Sequence, residues 1–152
     1  MKKKILTILG ILIIIAGVSY AGVSIAAMNA PKHPSDYHIG ITYDAALKSD
    51  KPMMIVFYAD WCSYCLKFMP KFKILSTIYK DDFNFVMLNV EETTRNTKLS
   101  QDYGISGFPT VYISDPKYDN RVLMPNVYYQ DLGRFRVEID RFIRIRKLLD
   151  SK

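Results

Sequence analysis

The chain has 152 residues, of which 49% are apolar, so it is long enough for one compact domain with an appended segment. Its formal net charge is +6, but Lys2, Lys3 and Lys4 supply three of these charges, and the remainder of the chain is close to balanced. This weak excess of positive charge argues against a nucleic-acid-binding protein. The sequence also contains no glycine-rich phosphate loop and no internal repeat.

The first thirty residues have the pattern of a targeting segment. Three lysines precede an uncharged apolar run from Ile5 to Met28. One interpretation is a cleaved signal peptide with its apolar core at Ile5 to Val18. The other is an uncleaved signal anchor, because a helix of this length, at about 1.5 Å per residue, crosses a hydrocarbon core of about 30 Å. The length favours the membrane anchor. In both cases we expect an extracytoplasmic domain, in the periplasm or at the outer face of the cytoplasmic membrane.

The rest of the chain predicts a linker followed by one α/β domain. Residues 31–41 contain two prolines and a glycine without hydrophobic periodicity, which predicts a linker, and the domain is expected over 42–152. Its apolar patterns alternate between helix and strand. In chain order they predict a short helix at 42–51, a buried strand at 52–59, a helix at 61–79, a strand at 83–91, a short helix at 94–104, a strand at 110–114, a turn at 115–120, a strand near 121–129 and a final helix at 130–149.

The only two cysteines, Cys62 and Cys65, are spaced C-x-x-C at the start of the second predicted helix. A zinc site would need further ligands, and the two histidines, His33 and His38, both fall in the predicted linker, so we expect no metal site. A structural disulfide across so short a loop would add little stability. Unpaired amides and the helix dipole stabilise a thiolate at the first turn of a helix. The pattern therefore favours a redox pair in which Cys62 attacks and Cys65 resolves.

Three motifs resemble the thioredoxin superfamily. They are VFYADWCSYC at 56–65, Pro70 eight residues after the first cysteine, and YGISGFPTVYI at 103–113. The chain is most similar in these motifs to the periplasmic C-terminal domain of DsbD-type thiol reductases and to stand-alone exported thioredoxin-like proteins. The resemblance covers about 42–149 and implies a thioredoxin fold, in which helices flank a central mixed β-sheet.

The resemblance also implies the residues that contact a substrate. Pro109 should be a cis-proline facing the cysteine pair, next to a backbone at Phe108 that receives an extended substrate segment. Tyr58, Trp61, Tyr64 and Phe108 are candidates for an apolar rim around the thiol. The alternative for these aromatic side chains is ordinary core packing.

The chain departs from the family pattern at its buried charges. Thioredoxins usually have an aspartate where this chain has Val56 and a lysine where it has Met87, and DsbD-type domains have a further acid where it has Met69. Losing both charges together fits replacement of a buried ion pair by apolar packing. It also removes the usual proton acceptor for Cys65, for which water or Asp60 is a candidate.

The expected function is that of an exported thiol-disulfide oxidoreductase that reduces disulfides in envelope proteins. We expect no cofactor beyond the redox-active disulfide Cys62–Cys65, and a monomer. The intervening Ser63-Tyr64 lacks the histidine of strong oxidants, which favours a reductant or an isomerase. The resemblance implies a membrane electron donor of the DsbD or CcdA type and exported thiol proteins or apocytochrome c as acceptors. The alternative is a metallochaperone that binds copper through the same cysteines, or a non-catalytic binding module.

The last predicted helix carries a basic run. Its apolar positions predict a buried face, and the basic side chains are expected to form a solvated face, with contact to anionic lipid as the alternative. These side chains are Arg134, Arg136, Arg141, Arg144, Arg146 and Lys147.

Overall fold

The computed structural model describes residues 8–19 and 30–151. The chain divides into two compact units, Met1–Lys32 and His33–Lys152. In the first unit residues 8–19 are helical (α1), and their side chains are exposed. No helix within the described part of the chain combines the length and the apolar character needed to cross a membrane. Most of the predicted targeting segment lies outside the described residues, so both interpretations of it stay predictions.

The second unit alternates between strands and helices, as the sequence patterns predicted. Three short 3-10 turns, at Pro34–Tyr37, Pro116–Tyr118 and Asn126–Tyr129, connect the larger elements. The strands are β1 (Met53–Tyr58), β2 (Asn84–Asn89), β3 (Thr110–Asp115) and β4 (Asn120–Met124), and the helices are α2 (Tyr43–Leu47), α3 (Ser63–Ile78), α4 (Thr94–Asp102) and α5 (Leu132–Asp150).

The four strands form one mixed sheet in the order β2-β1-β3-β4. Strand β1 pairs in parallel with β2 and antiparallel with β3, and β4 is antiparallel to β3. All six residues of β1 are buried. This explains why β1 reads as a continuous apolar run, because a central strand covered on both faces has no solvent-facing positions.

Side chains at the helix starts satisfy amides that would otherwise lack partners. The Thr42 hydroxyl accepts a hydrogen bond from the Ala45 amide at the start of α2, and Thr93 accepts one from Asn96 at the start of α4. The Asp131 carboxylate accepts the Arg134 amide at 3.1 Å. Such caps contribute about 1 kcal/mol each and define where each helix begins.

Large apolar side chains of α3 and α5 form the core together with the sheet. Phe72 of α3 contacts Phe85 of β2 with ring centroids 5.3 Å apart, and Phe68 lies 6.2 Å from Phe135 of α5. Phe72, Phe135 and Ile139 are fully buried. The core therefore holds α3, with the cysteine motif at its start, firmly against the sheet.

The predicted linker at 31–41 differs from the structure over residues 34–41. Residues 34–41 belong to the folded unit, because the Ile41 amide donates to the carbonyl of Phe85 on β2 at 2.9 Å. Gly40 has a φ of 81°, and a Cβ at this position would lie only 1.9 Å from the Phe85 carbonyl oxygen. Gly40 thus permits a close approach of two backbones, and it does not mark a flexible linker.

Arg146 does not belong to the solvated face that was expected on the last helix. Its Nε donates to the Asp115 carboxylate at 2.7 Å, and its Nη2 donates to the Asp50 carbonyl at 2.6 Å. Asp115 is only 1% exposed, so its charge needs this partner. Arg146 therefore connects α5 to the end of β3 and to the loop before β1.

We predict that Arg146→Met lowers the free energy of unfolding by about 3 kcal/mol, because it leaves the Asp115 carboxylate buried without a cation. Urea denaturation of the full chain measures the change. Arg144→Met is the matched control, since Arg144 is exposed on the same helix, and it should change stability by less than about 0.5 kcal/mol. Equal losses in the two variants would contradict the role assigned to Arg146.

Candidate active site

The two cysteines lie where the chain passes from the central strand to α3. Strand β1 ends at Tyr58, and the Cys62 amide donates to the Ala59 carbonyl at 3.1 Å, which closes a turn. Cys62 is the N-cap residue of α3 and has an extended backbone. The sharp strand-to-helix turn thus places Cys62 at the end of the sheet where β1 and β2, which are parallel, both finish.

The Cys62 sulfur occupies the position of a helix-capping acceptor. It accepts a hydrogen bond from the Cys65 amide at 3.1 Å. Cys62 and Cys65 are joined as a disulfide with their Cα atoms 5.2 Å apart. Cys62 is 5% exposed, whereas Cys65 is completely buried. Cys65 is therefore the less accessible of the two cysteines.

This geometry has a direct chemical consequence for the reduced pair. When the disulfide opens, the Cys65 amide and the positive end of the 16-residue helix α3 both favour negative charge on the Cys62 sulfur. Cysteines in this setting have pKa values of about 3.5 to 7.5, against about 8.5 for a free thiol. The arrangement suits a nucleophilic thiolate at Cys62 and a second thiol at Cys65 that can attack it.

The predicted substrate-contacting residues come from the cysteine motif, which contains Trp61 and Tyr64, and from the loop that contains Phe108 and Pro109. The Phe108–Pro109 peptide bond is cis. The Trp61 ring lies 6.0 Å from the Phe108 ring in an edge-to-face arrangement. Tyr64 lines the same groove as Phe108 and Pro109. Trp61 and Tyr64 are each 69% exposed, so both present aromatic surface to solvent.

Tyr58 is not part of this exposed rim. It is 5% exposed at the end of β1, which matches the alternative of core packing. Burial, together with the nearby charges of Asp60 and Glu92, raises the pKa of Tyr58 to about 12. Tyr58 therefore stays neutral and structural over the physiological range.

Glu91, which no sequence motif singled out, orients Trp61. The Trp61 Nε1 donates to both carboxylate oxygens of Glu91, at 2.9 and 3.0 Å. Glu91 follows the end of β2, and the carboxyl ends of parallel neighbouring strands meet at the same edge of a sheet. The parallel pairing of β1 and β2 could have suggested this contact, because it brings the residues after both strands together.

Asp60 makes structural hydrogen bonds. Its Oδ1 accepts the Ser35 amide at 3.1 Å, and its Oδ2 accepts the Asn89 side-chain amide at 3.2 Å. These bonds fasten the turn at residues 34–37 to the site. The hypothesis that Asp60 takes the proton of Cys65 stays a prediction.

The two positions where thioredoxins usually carry charges are apolar and adjacent in space. Val56 of β1 and Met87 of β2 are direct partners in the parallel register. Val56 is fully buried, and the Ile39 amide approaches the Met87 sulfur at 3.2 Å. Apolar packing thus occupies the place of the buried ion pair.

A groove of about 800 Å³ extends from the aromatic rim along α3. It is lined by Tyr64, Lys67 and Lys71 of α3, by the loop through Pro109, and by the end of β4 with the turn at Asn126–Tyr129. No local sequence pattern predicted this groove, because α3 and the end of β4, which both line it, are about sixty residues apart in the chain.

Tyr129 fixes the turn at Asn126–Tyr129, which lines the groove. Its hydroxyl accepts the Val111 amide at 2.8 Å and donates to the Met124 carbonyl at 3.1 Å, so it bridges β3 and β4. Burial raises the pKa of Tyr129 to about 12, which keeps the hydroxyl proton available for this bridge. Lys71 Nζ donates to the Tyr129 carbonyl at 2.8 Å and ties the same turn to α3.

The described residues, 8–19 and 30–151, contain no group of three or more His, Cys, Asp or Glu side chains placed to hold a metal ion. His33 and His38 flank the turn at Pro34–Tyr37.

We predict that Glu91→Ala frees the Trp61 ring, because the indole loses both of its acceptors. Trp61 is the only tryptophan in the chain, so its fluorescence reports this change directly. The emission anisotropy should fall, because the exposed ring loses hydrogen bonds to a charged group that contribute about 1.5 to 3 kcal/mol, and acrylamide quenching should become stronger. Glu92→Ala removes the neighbouring carboxylate and should leave both signals unchanged. Identical behaviour of the two variants would contradict the contact.

Comparison with known proteins agrees with this geometry. Residues 37–123 match the thioredoxin family. The chain is 41% identical over 69 residues to the thioredoxin-like protein HCF164, chloroplastic, of Arabidopsis thaliana, over 45% of this chain and 26% of that protein. It is 36% identical over 73 residues to the thiol:disulfide interchange protein TxlA of Synechococcus elongatus, over 47% of this chain and 38% of that protein. The matches thus span well under half of these relatives.

A solved structure shows the same architecture. The germline-specific thioredoxin Deadhead of Drosophila melanogaster superposes with a TM-score of 0.52 at 19% identity, over 72% of this chain and 96% of that one. At this identity the likeness shows the fold. The match to the thioredoxin family covers more than half of the chain and includes the cysteine motif and the Phe108–Pro109 loop. The chain therefore belongs to the thioredoxin family.

Proposed function

We propose that this protein is an exported thiol-disulfide oxidoreductase that reduces disulfides in envelope proteins. The observation that carries the proposal is the position of Cys62, whose sulfur accepts the Cys65 amide at the start of α3 while remaining the more accessible of the two. The relative named as a thiol:disulfide interchange protein supports the same chemistry.

The proposed reaction transfers two electrons from the reduced pair to a partner. The Cys62 thiolate attacks one sulfur of the partner disulfide, that S–S bond breaks, and the displaced partner sulfur takes up a proton. Cys65 then loses its proton and attacks the Cys62 sulfur, so the mixed disulfide breaks and the second partner thiol leaves. The protein ends with the disulfide Cys62–Cys65, and the partner ends with two thiols.

The aromatic rim would supply docking surface for the partner. Trp61 and Tyr64 are exposed, and Glu91 and Phe108 hold the Trp61 ring in one orientation before a partner arrives. A side chain that is already ordered loses less conformational entropy on binding. The partner segment would lie against Phe108 and Pro109 as an added strand, as the family resemblance implies.

Turnover would require a source of electrons outside the cytoplasm, because an exported compartment is oxidising. A membrane dithiol donor of the DsbD or CcdA type would reduce the disulfide Cys62–Cys65 by the reverse exchange. The lysine cluster and the apolar run before residue 30 support an extracytoplasmic location. Exported disulfide-bearing proteins, including apocytochrome c, are the proposed acceptors.

We predict that Cys65→Ser accumulates mixed disulfides with partner proteins, because the intermediate can no longer be resolved. Cys62→Ser should form at least tenfold fewer, since the remaining thiol is buried. Non-reducing gels of cells that express each full-length variant measure the difference. Both variants lose the disulfide, so each serves as a control for the other. Equal trapping by both variants would contradict the assigned roles.

A titration with Cu(I) separates this function from the metallochaperone alternative. We expect the wild-type chain to reduce disulfide substrates catalytically with a dithiol as electron source. Tight copper binding that is lost in Cys62→Ser, without catalytic reduction of disulfides, would favour the metallochaperone.

A further inference from the structure

The side chains of α3 that line the groove include two that are positively charged. Lys67 and Lys71 both line the groove and are four residues apart, so they lie on one face of α3. Among the described residues that line the groove, no aspartate or glutamate is present. The groove therefore presents two ammonium groups without a carboxylate of its own.

Neither lysine is neutralised by an anionic side chain in the described part of the structure. The ion pairs found there involve other residues. Lys71 Nζ donates to the carbonyls of Tyr129 and Gln130 at 2.8 and 3.3 Å, which orients the ammonium but leaves its net charge in place. Lys67 Nζ lies 5.8 Å from the centre of the Tyr64 ring. Both contacts hold positive charge at the groove.

We propose that the groove binds an extended acidic segment of the partner protein, next to the partner's reactive cysteine. This inference rests on the proposed function and names the class of substrate that the site selects. The carboxylates of the partner would pair with Lys67 and Lys71. Leu123, which is exposed and also lines the groove, would contact apolar side chains of the same segment.

The spacing of the lysines defines where the acidic residues lie in the partner. Lys67 and Lys71 follow Cys62 by five and nine residues, which corresponds to about 7.5 and 13.5 Å along the helix axis. An extended chain advances about 3.3 Å per residue. The acidic side chains would therefore lie about two and four residues from the partner cysteine. Positions two apart share one face of a strand, so the cysteine and both carboxylates can face α3 together.

The test uses three peptides that differ only at the second and fourth positions on each side of a disulfide-bonded cysteine. These positions are Glu in the first peptide, Gln in the second and Lys in the third. Reduction of each peptide disulfide by the full-length protein is followed at low salt, with a dithiol as the electron source that regenerates the reduced cysteine pair. We expect kcat/KM to be about five- to twentyfold higher for the Glu peptide than for the Gln peptide, as two solvent-exposed ion pairs would give. The Lys peptide should be the poorest substrate, and the preference should weaken as salt screens the charges. Equal kcat/KM for the Glu and Gln peptides would overturn the proposal.

Variants of the protein assign the preference to the groove. Lys67→Glu should remove or reverse the order of the Glu and Lys peptides. Lys73→Glu makes the same change of net charge at an exposed position of α3 outside the groove, and it should preserve the wild-type order. Lys71→Gln should reduce the preference in part. If Lys67→Glu and Lys73→Glu act alike, the effect comes from overall charge and the proposed site is wrong.

Binding measurements separate this proposal from the redox function. The three peptides are made with serine in place of cysteine, and their affinities for the full chain are measured. If all cysteine peptides fail to be reduced but the Glu peptide still binds best, the redox function fails and the acidic specificity stands. If reduction proceeds while the serine peptides bind equally, the redox function stands and the acidic specificity is overturned.

Discussion

The hydrogen bond from the Cys65 amide to the Cys62 sulfur is the interaction on which the site depends. It exists because β1 ends at Tyr58 and a short turn leads to the start of α3 five residues later, at Ser63, so that a cysteine serves as the N-cap. A serine or aspartate at an N-cap satisfies the same amide with oxygen. With sulfur in that place, a stabilising feature of the helix also becomes a means of lowering a thiol pKa.

The surroundings of the cysteine pair combine an apolar, buried interior with an exposed surface that a partner can contact. Val56 and Met87 pack without charge behind the site, so no buried ion pair has to be desolvated there. The groove beside α3 carries its positive charge at the surface, where the Lys67 ammonium is available to a bound partner. Lys71 serves both the interior and the surface. Its ammonium fastens the turn at Asn126–Tyr129, and it also contributes positive charge to the groove.

Local sequence patterns predicted much of the fold, and tertiary contacts account for what they missed. The central strand, α3 and the position of Cys62 follow from short-range hydrophobic periodicity and the strand-to-helix order. Residues 34–41 lack such a period, and a backbone contact at Gly40 orders them. Glu91, Tyr129 and the partner of Arg146 act across about 30, 18 and 31 residues of sequence, distances that no local pattern spans.

The pKa of the Cys62 thiol decides whether the start of α3 activates this cysteine. It is measured on the reduced full-length protein from the rate of alkylation at Cys62 as a function of pH, with modification at each cysteine resolved by mass spectrometry. A sulfur that caps the start of α3 should have a pKa within about 3.5 to 7.5, and Cys65 should react more slowly throughout. A Cys62 pKa at or above the free value of about 8.5 would show that the helix start does not activate the thiol.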